Sequence, residues 1–466
     1  ILMTQLSIIK PMKKIFKNIL IAALALSFSS CNDFLDREPI SQITPEEYFN
    51  SETNANAAVI GLYRTMLNSF SFGQSFIIVP EFSAGHVSHA SEYPEYENFR
   101  TNNPQVNNPW TNNMWQAAYT SINTANNIIT SVPEMASNLI TDEKKQQFVG
   151  EAKFVRALNY FFLVRAFGDI PLKITATTEE EDFNTPRSPV NEVYAQIIID
   201  LEEASTSLPD TYADDATRKG RATKLAAKAL LAKVQLYNAK ISGDYTQAAA
   251  LAQEVINSGQ FTLIPDFASI WTTENTAESI FELQFDDQAT NPLAMVSNDN
   301  ASMLFYARGT AAFDKYTAED KRRDFTVKTG KTEGRYYIGK YPKFSPANQN
   351  FPVIRIAELY LIQAEAQARV EGAVSTSAFN SYKAVRDRAG LATTDSFASV
   401  EDFIKEIQKE KERELMFEGE AWFDFCRTEL ALTDMMVKPD RNYFLYPIPS
   451  GQIVLSNGIL TQNPGY

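Results

Sequence analysis

The sequence predicts a mainly α-helical fold, in which pairs of helices stack on one another and long irregular segments are inserted between them. Three observations support this prediction. Apolar residues recur at spacings of three and four over several long segments. An alanine-rich segment, 221–237, is followed by a glycine-containing turn and a second amphipathic segment, 246–258. Segments 68–115 and 280–350 lack this period. We therefore expect one helical body over 46–466, with loop insertions around 68–115 and 280–350.

The composition excludes several classes of function. The chain has 466 residues with 43 basic and 57 acidic side chains, so its formal charge is −14. Because a phosphate backbone repels an acidic surface, nucleic acid is not expected as the main partner. Two cysteines and two histidines are too few for a disulfide framework and leave little for a metal site. We expect no metal and no cofactor.

Residues 1–30 have the features of a secretory signal peptide. A cluster of lysines at 13–17 precedes a short apolar run at 19–26. The run is too short to cross a bilayer as a helix, and small residues follow it. Met12 is the expected natural start, so residues 1–11 are interpreted as upstream sequence.

Cys31 follows this signal directly. A cysteine that comes after small residues at a predicted cleavage site is similar to a bacterial lipobox. We therefore predict that Cys31 carries lipid, that residues 31–45 form a tether, and that the protein is held to a membrane only through this anchor. A plain signal peptide followed by an incidental cysteine is the alternative.

Periodicity and end signals predict the helices in order along the chain. Thr44 and Pro45 are suited to cap and begin the first helix. The third helix is apolar on more than one side, so it is expected in the interior, and Gly168 to Pro171 end it. The predicted helices are 46–67, 115–129, 142–167, 190–208, 221–237, 246–258, 355–370 and 377–388.

Two of these helix pairs predict a repeat architecture. Helices 221–237 and 246–258 are joined by the turn Gly243-Asp244-Tyr245. This turn and the alanines after it are similar to a tetratricopeptide repeat, a helix pair with a period of about 34 residues. Segments 355–370 and 377–388 form a second such pair. The expected fold is therefore a set of tetratricopeptide-like helical repeats with long irregular inserted loops.

The sequence offers little for histidine or phosphate chemistry. It has no glycine-rich phosphate loop and no nucleophile elbow. His86 and His89 are three residues apart, a spacing that could place two imidazoles on one helical face as metal ligands. Gly85 weakens a helix there, so we interpret the segment as an exposed polar loop.

The densest carboxylate cluster lies at 409–424. Opposite charges recur three residues apart, as in Glu410 with Arg413 and Lys411 with Glu414. This pattern is typical of a solvated helix face with ion pairs. A catalytic acid needs a crowded or apolar setting, so we do not expect an enzyme. A glycoside hydrolase using paired carboxylates is the rival hypothesis.

The aromatic residues of two irregular segments are the candidate ligand contacts. Segment 68–115 combines many aromatic rings with eight asparagines. Rings stack on the apolar faces of sugars, and amides hydrogen-bond to hydroxyls. In segment 298–308, rings and a guanidinium lie beside Asn and Asp without helical period. The candidate residues are Tyr93, Tyr96, Phe99, Trp110, Phe305, Tyr306 and Arg308. The alternative is that these rings pack the loops onto the helical body.

A set of short sequence blocks is spread over nearly the whole chain after the signal. These blocks are Cys31–Asp36, Gly150–Ala157, Phe167–Leu172, Gly220–Ala227, Arg355–Glu365, Val385–Gly390, Glu412–Gly419, Trp422–Asp424, Tyr446–Pro449 and Gln462–Tyr466. Together they resemble the SusD/RagB family of Bacteroidetes outer-membrane nutrient-binding lipoproteins. Two positions depart from the family pattern. Ala421 stands where an arginine is common, and Gln452 replaces a usual acidic residue.

The resemblance implies a lipid-anchored protein at the cell surface of the outer membrane that performs no catalysis. It implies that the protein captures oligosaccharides for polysaccharide utilisation and passes them to a SusC-like TonB-dependent transporter. The binding loops vary within the family, so no ligand residue carries over by motif. Two alternatives stay open within this frame. The protein is a peptide-binding member of the family, or it is a helical-repeat scaffold for the transporter that binds no small ligand.

Overall fold

The computed structural model describes residues 45–90, 93–177, 185–300, 303–332, 334–434 and 440–466. The predicted signal peptide and Cys31 lie outside these residues. A short helix, α1 (Pro45–Tyr48), belongs to the N-terminal unit. Residues Phe49–Tyr466 form one compact unit, to which all further elements belong.

Helices dominate the first half of this unit. They are α2 (Glu52–Thr65), α3 (Ser75–Ala84), α4 (Pro94–Arg100), α5 (Pro109–Glu134), α6 (Asp142–Phe167), α7 (Val190–Ser207), α8 (Asp215–Gly220), α9 (Lys224–Ser242) and α10 (Thr246–Asn257). The helices of the second half are α11 (Ser269–Thr272), α12 (Pro292–Val296), α13 (Gly309–Phe313), α14 (Arg323–Thr326), α15 (Ile356–Glu371), α16 (Thr376–Arg388), α17 (Val400–Leu415), α18 (Ala421–Thr428) and α19 (Ser450–Leu455). Several of them are short, whereas α15, α16 and α17 are longer.

The strands are short, and each pairs with one partner. They are β1 (Val87–His89), β2 (Ile170–Pro171), β3 (Arg187–Ser188), β4 (Ser279–Leu283), β5 (Phe305–Ala307), β6 (Val327–Thr329), β7 (Tyr336–Ile338) and β8 (Phe351–Arg355). The antiparallel pairs are β1 with β5, β2 with β3, β4 with β8 and β6 with β7. The β1–β5 and β4–β8 ladders join segments that are far apart in sequence, whereas β2–β3 and β6–β7 join nearby segments.

The long interior helix α6 has the bounds that the sequence predicts. The hydroxyl of Thr141 accepts a hydrogen bond from the backbone N–H of Lys144, which caps the first turn. The helix ends at Gly168, whose φ is +72°. A Cβ there would lie 2.7 Å from a methyl carbon of Leu445, so glycine is required for both backbone and space.

The helices stack in sequence order. Helix α5 packs on α6, α6 on α7, α7 on α9, α9 on α10, α10 on α15 and α15 on α16. The alanines of α9 and α10 that face this stack are fully or almost fully buried, which lets neighbouring helices approach closely. The predicted mainly α-helical fold with paired repeat helices is therefore confirmed.

The prediction that 68–115 is an irregular loop is wrong. This segment contains α3, β1, α4 and the start of α5. Pro94 and Pro109 occupy the first turns of α4 and α5, where the missing N–H costs nothing. All ten residues of α3 are buried, including Pro80, so apolar packing outweighs the hydrogen bond that this proline removes.

The prediction of a solvated charged face at 409–424 is also wrong. Glu410, Glu412 and Glu414 of α17 are buried, although Glu410 does pair with Arg413 at 3.0 Å as predicted. Lys411 does not pair with Glu414; its Nζ lies 2.6 Å from a carboxylate oxygen of Asp424. The charges are tolerated inside because their partners come from other elements.

The partners around Glu414 form what we call the charged core: Glu278, Arg322, Arg355, Arg388 and Glu414. Arg355 Nη1 lies 2.6 Å from Glu278 Oε1 and 3.0 Å from Glu414 Oε1. Arg322 Nη1 lies 2.9 Å from Glu414 Oε2, and Arg388 also pairs with Glu414. Burial opposes ionisation of Glu414, but the three guanidinium groups outweigh it and hold its pKa well below the usual range.

Candidate functional site

The β1–β5 ladder brings the two predicted ligand-binding segments together. Ser88 lies opposite Tyr306, and His89 lies opposite Phe305. The N–H of Arg308 donates to the carbonyl oxygen of His86 at 2.7 Å, which extends the ladder by one bond. The two segments are more than 200 residues apart in sequence, and the ladder places their rings side by side.

Three of the predicted contact residues are covered by other rings. Tyr96, Phe99 and Phe305 have no exposed surface. Tyr96 stacks on Phe82 with ring centroids 5.0 Å apart and meets the edge of Phe305 at 5.1 Å. Their assignment as ligand contacts is corrected: apolar burial draws these rings into the core, where they support the residues above them.

Four predicted residues remain at the surface: Tyr93, Trp110, Tyr306 and Arg308, which we call the ring surface. The side chain of Tyr93 is 42% exposed, and the other three residues are partly exposed. Trp110 stacks on the buried Tyr96 at 4.7 Å, and Tyr93 lies 6.3 Å from the same ring. Tyr93 and Trp110 therefore form an outer layer resting on a closed inner layer.

Hydrogen bonds and cations define the electrostatics of the ring surface. The hydroxyl of Tyr306 donates to the carbonyl oxygen of His89 at 2.8 Å, so its ring is held in place. The Nη1 of Arg308 is buried and has no hydrogen-bond partner within the described residues. Burial and the nearby Arg100 lower the pKa of Arg308. An unsatisfied donor beside positioned rings is suited to a ligand oxygen.

Two further cations and one carboxylate flank these rings, and sequence reasoning missed all three. The Nε of Arg100 donates to Glu97 at 2.6 Å, and this bond lowers the pKa of Glu97. The guanidinium of Arg335 lies 5.9 Å from the ring centre of Tyr306. Charges three residues apart inside an aromatic segment could have flagged Glu97 and Arg100. No sequence signal links Arg335 to the ring surface.

The interpretation of His86 as part of an exposed polar loop is wrong. Its side chain is buried between two carboxylates, with Nδ1 2.6 Å from Glu81 and Nε2 3.0 Å from Glu412. Burial alone lowers the pKa of His86, but the charges and hydrogen bonds of both glutamates outweigh it and raise the pKa to about 9. The protonated ring ties α3 to α17 directly beneath β1.

His89 and several asparagines also have structural roles. His89 Nδ1 lies 2.6 Å from the carbonyl oxygen of Ala90, and its Nε2 lies 3.5 Å from Glu97, so it does not share partners with His86. Asn108 caps α5 and donates to the backbone of Glu95. Within the described residues, no group of three histidine, cysteine or carboxylate side chains is placed to hold a metal ion.

The arrangement at the ring surface is chemically suited to binding. Partly exposed rings offer faces for stacking, and guanidinium groups offer donors to hydroxyl or carboxylate oxygens. The carboxylate of Glu97 is engaged with Arg100, and that of Glu412 with His86 and Lys315. The described helices include none that combines the length and apolar character of a membrane span.

Two family models match this chain. The model described as "Starch-binding associating with outer membrane" matches residues 33–236, and the model of the SusD family matches residues 314–438. The class defined by the fold is thus a mainly α-helical repeat protein. The chain belongs to the SusD/RagB family, whose members are associated with the outer membrane.

Individual relatives align over almost the whole chain. SusD-like protein P2 from Formosa agariphila is 27% identical and aligns over 95% of this chain and 98% of its own length. A solved laminarin-binding SusD-like protein is 26% identical, with a TM-score of 0.75 over 90% of this chain and 100% of its own. Surface glycan-binding protein A from Bacteroides thetaiotaomicron, solved with laminarihexaose, shares the fold at 20% identity and a TM-score of 0.75, covering 89% of this chain and 100% of its own.

Proposed function

We propose that the protein is a glycan-binding member of its family that captures oligosaccharides at the ring surface without cleaving them. The observation that carries the proposal is the β1–β5 ladder, which joins the strand of Tyr306 to the segment just before Tyr93 and packs Phe305 against Tyr96, the ring that supports Tyr93 and Trp110. Stacking on these rings and donation from Arg308 would hold a sugar chain. The laminarin-binding relative at 26% identity supports a glycan as the ligand.

The proposal includes a lipid anchor at Cys31 and delivery of the glycan to a SusC-like TonB-dependent transporter. Both follow from family membership and from the lipobox-like segment before Cys31. Labelling intact cells with a fatty-acid analogue tests the anchor, because Cys31→Ala should abolish incorporation. Co-purification of a barrel protein with the tagged chain tests the transporter.

Calorimetry tests the binding surface. Wild type is titrated with laminarihexaose, maltohexaose and a set of unrelated peptides. Tyr93→Ala should weaken glycan affinity by up to about tenfold, because the loss of one stacking ring costs about 0.5–1.5 kcal/mol. Tyr245→Ala, a partly exposed tyrosine at the start of α10, is the matched control and should bind as wild type does.

Three outcomes would argue against the proposal. A glycan affinity unchanged in Tyr93→Ala and in Arg308→Ala would remove the ring surface from the site. Binding of peptides but not glycans would favour the peptide-binding alternative. Turnover of a bound glycan, lost on replacing a carboxylate, would make the protein an enzyme.

A further inference from the structure

The turn that ends α3 lies directly beside Arg308 of the ring surface. Gly85 follows the last residue of this helix and has a φ of +84°, and its N–H donates to the carbonyl oxygens of Glu81 and Phe82. A left-handed residue is a common way to end a helix, and glycine adopts this conformation without a steric cost. The turn of Gly85 and His86 therefore leads the chain from α3 directly into β1.

The main chain of Arg308 is held by this turn. Its N–H donates to the carbonyl oxygen of His86 at 2.7 Å, one residue beyond the β1–β5 ladder. The ring of His86 lies between the carboxylates of Glu81 and Glu412, and the second oxygen of Glu81 accepts the N–H of Gly419 at 2.8 Å. The carbonyl group that receives Arg308 is thus fixed to α3 and α17, both of which are anchored in the core.

The guanidinium of Arg308 lies against the same turn. A Cβ on Gly85 would lie 3.3 Å from Nη1 of Arg308, which is tighter than an ordinary van der Waals contact. Apart from the residues next to Gly85 in the chain, no other atom of the described residues lies within 4 Å of that position. A side chain introduced at residue 85 would therefore act on the guanidinium of Arg308 before it acted on anything else.

One turn of two residues thus contacts Arg308 at both its main chain and its guanidinium. We propose that Gly85 is a positioning residue: the Gly85–His86 turn sets where the guanidinium of Arg308 lies, and the absent side chain at Gly85 leaves the room that Nη1 occupies. The importance of this placement for a ligand rests on the proposed function, in which Arg308 donates to the glycan. Gly85 acts through Arg308 rather than by contacting the ligand.

Gly85→Asn is the variant that tests the proposal, because asparagine tolerates the left-handed conformation and adds a side chain beside Nη1. Its matched control is Gly243→Asn. Gly243 ends α9 with a φ of +76°, and a Cβ there would meet no atom of the described residues within 4 Å. Gly85→Ala and Gly243→Ala form a milder pair, to be used if circular dichroism shows that Gly85→Asn folds poorly. Both members of a pair carry a similar backbone cost, so a difference between them reports the contact with Arg308.

The first measurement needs no ligand. The side-chain Nε–H signal of Arg308 in the NMR spectrum is assigned by its loss in Arg308→Lys. This signal should shift in Gly85→Asn and keep its wild-type position in Gly243→Asn. An unchanged signal in Gly85→Asn would overturn the positioning role, whether or not the protein binds a glycan.

The second measurement is calorimetry with the glycan that wild type binds. Gly85→Asn should weaken the affinity about tenfold, as Arg308→Ala should, because the donor to the ligand is displaced. Gly243→Asn should bind as wild type does. The double variant Gly85→Asn/Arg308→Ala should have the affinity of Arg308→Ala alone, because Gly85 acts only through Arg308.

The outcomes separate this inference from the proposed function. If wild type binds no glycan, the proposed function fails, and the NMR signal of Arg308 still decides for or against the positioning role. If Arg308→Ala weakens binding and Gly85→Asn does not, the positioning role is overturned while the ring surface stands. Losses that multiply in the double variant would also overturn it, because Gly85 would then act independently of Arg308.

Discussion

Arginine side chains have different roles in the charged core and at the ring surface. In the charged core, Arg322, Arg355 and Arg388 are buried, and each contacts at least one carboxylate. At the ring surface, Arg308 has a buried donor without a partner in the described residues, and Arg335 is exposed beside a ring. The guanidinium groups of the charged core are held by ion pairs with carboxylates, whereas Arg308 has no ion pair with a carboxylate of the described residues and is the cation assigned to the ligand in the proposed function.

The largest expected effect breaks the charged core. Glu414→Ala leaves three buried guanidinium groups short of a carboxylate, so the free energy of unfolding should fall by about 3–5 kcal/mol. Urea denaturation followed by circular dichroism measures it. Glu406→Ala on the same helix is the control, because Glu406 pairs with Lys409 in a partly exposed setting, and a change below about 1 kcal/mol is expected. Equal losses of unfolding free energy in Glu414→Ala and Glu406→Ala would refute the distinction between buried and partly exposed ion pairs.

The second prediction compares the two layers of rings. Phe305→Ala empties a fully buried site and should lower the free energy of unfolding by about 3 kcal/mol. Tyr93→Ala removes a ring that is 42% exposed and should cost less than about 1 kcal/mol while weakening glycan binding. Thermal and urea unfolding of both variants check this. If Phe305→Ala were as stable as wild type, Phe305 would not be part of a closed inner layer.

The third prediction concerns pH. The pKa of His86 in the folded protein is raised from 6.5 to about 9, so its contribution to stability is fully present below pH 6.5 and is lost as pH rises through 9. The free energy of unfolding should therefore fall between these values by an amount on the order of 1–3 kcal/mol more in wild type than in His86→Gln. Urea titrations at several pH values measure it, and parallel profiles would contradict the assignment.

The smallest effect is expected at the rim of the ring surface. Glu97→Gln breaks a partly exposed ion pair with Arg100, so the free energy of unfolding should change by less than about 1 kcal/mol. The same variant frees Arg100 for a ligand, and calorimetry with the glycan that wild type binds should show affinity retained or increased. A loss of affinity above about tenfold would place the Glu97 carboxylate itself in contact with the ligand.

Local signals in the sequence predicted the long paired repeat helices but not the helices within 68–115, and long-range pairing accounts for the misjudged burial. Helix α6 is preceded directly by a capping residue, Thr141, and followed directly by Gly168, which ends it. Its bounds could therefore be predicted from the local sequence. The burial of Glu414 depends on Arg322 and Arg355, which lie on other elements, so the local charge pattern looked solvated. Partners of this kind cannot be identified from spacing alone.

In the candidate site, too, the local sequence predicts some features, and others depend on long-range contacts. Composition singled out Tyr93, Trp110 and Tyr306, which are partly exposed, together with Tyr96 and Phe305, which are not. Which rings face outward follows from the β1–β5 register and from stacking on Phe82, neither of which leaves a mark in the local sequence.

The two-layer construction of the ring surface separates recognition from architecture. Because Tyr96 and Phe305 support Tyr93 and Trp110 from below, exchanging Tyr93 would alter an outward group of the proposed site while the buried rings keep their packing. If the proposed function holds, selectivity could therefore change through a few outward substitutions. To alter selectivity, the outer residues would be randomised and the buried rings of the inner layer left unchanged.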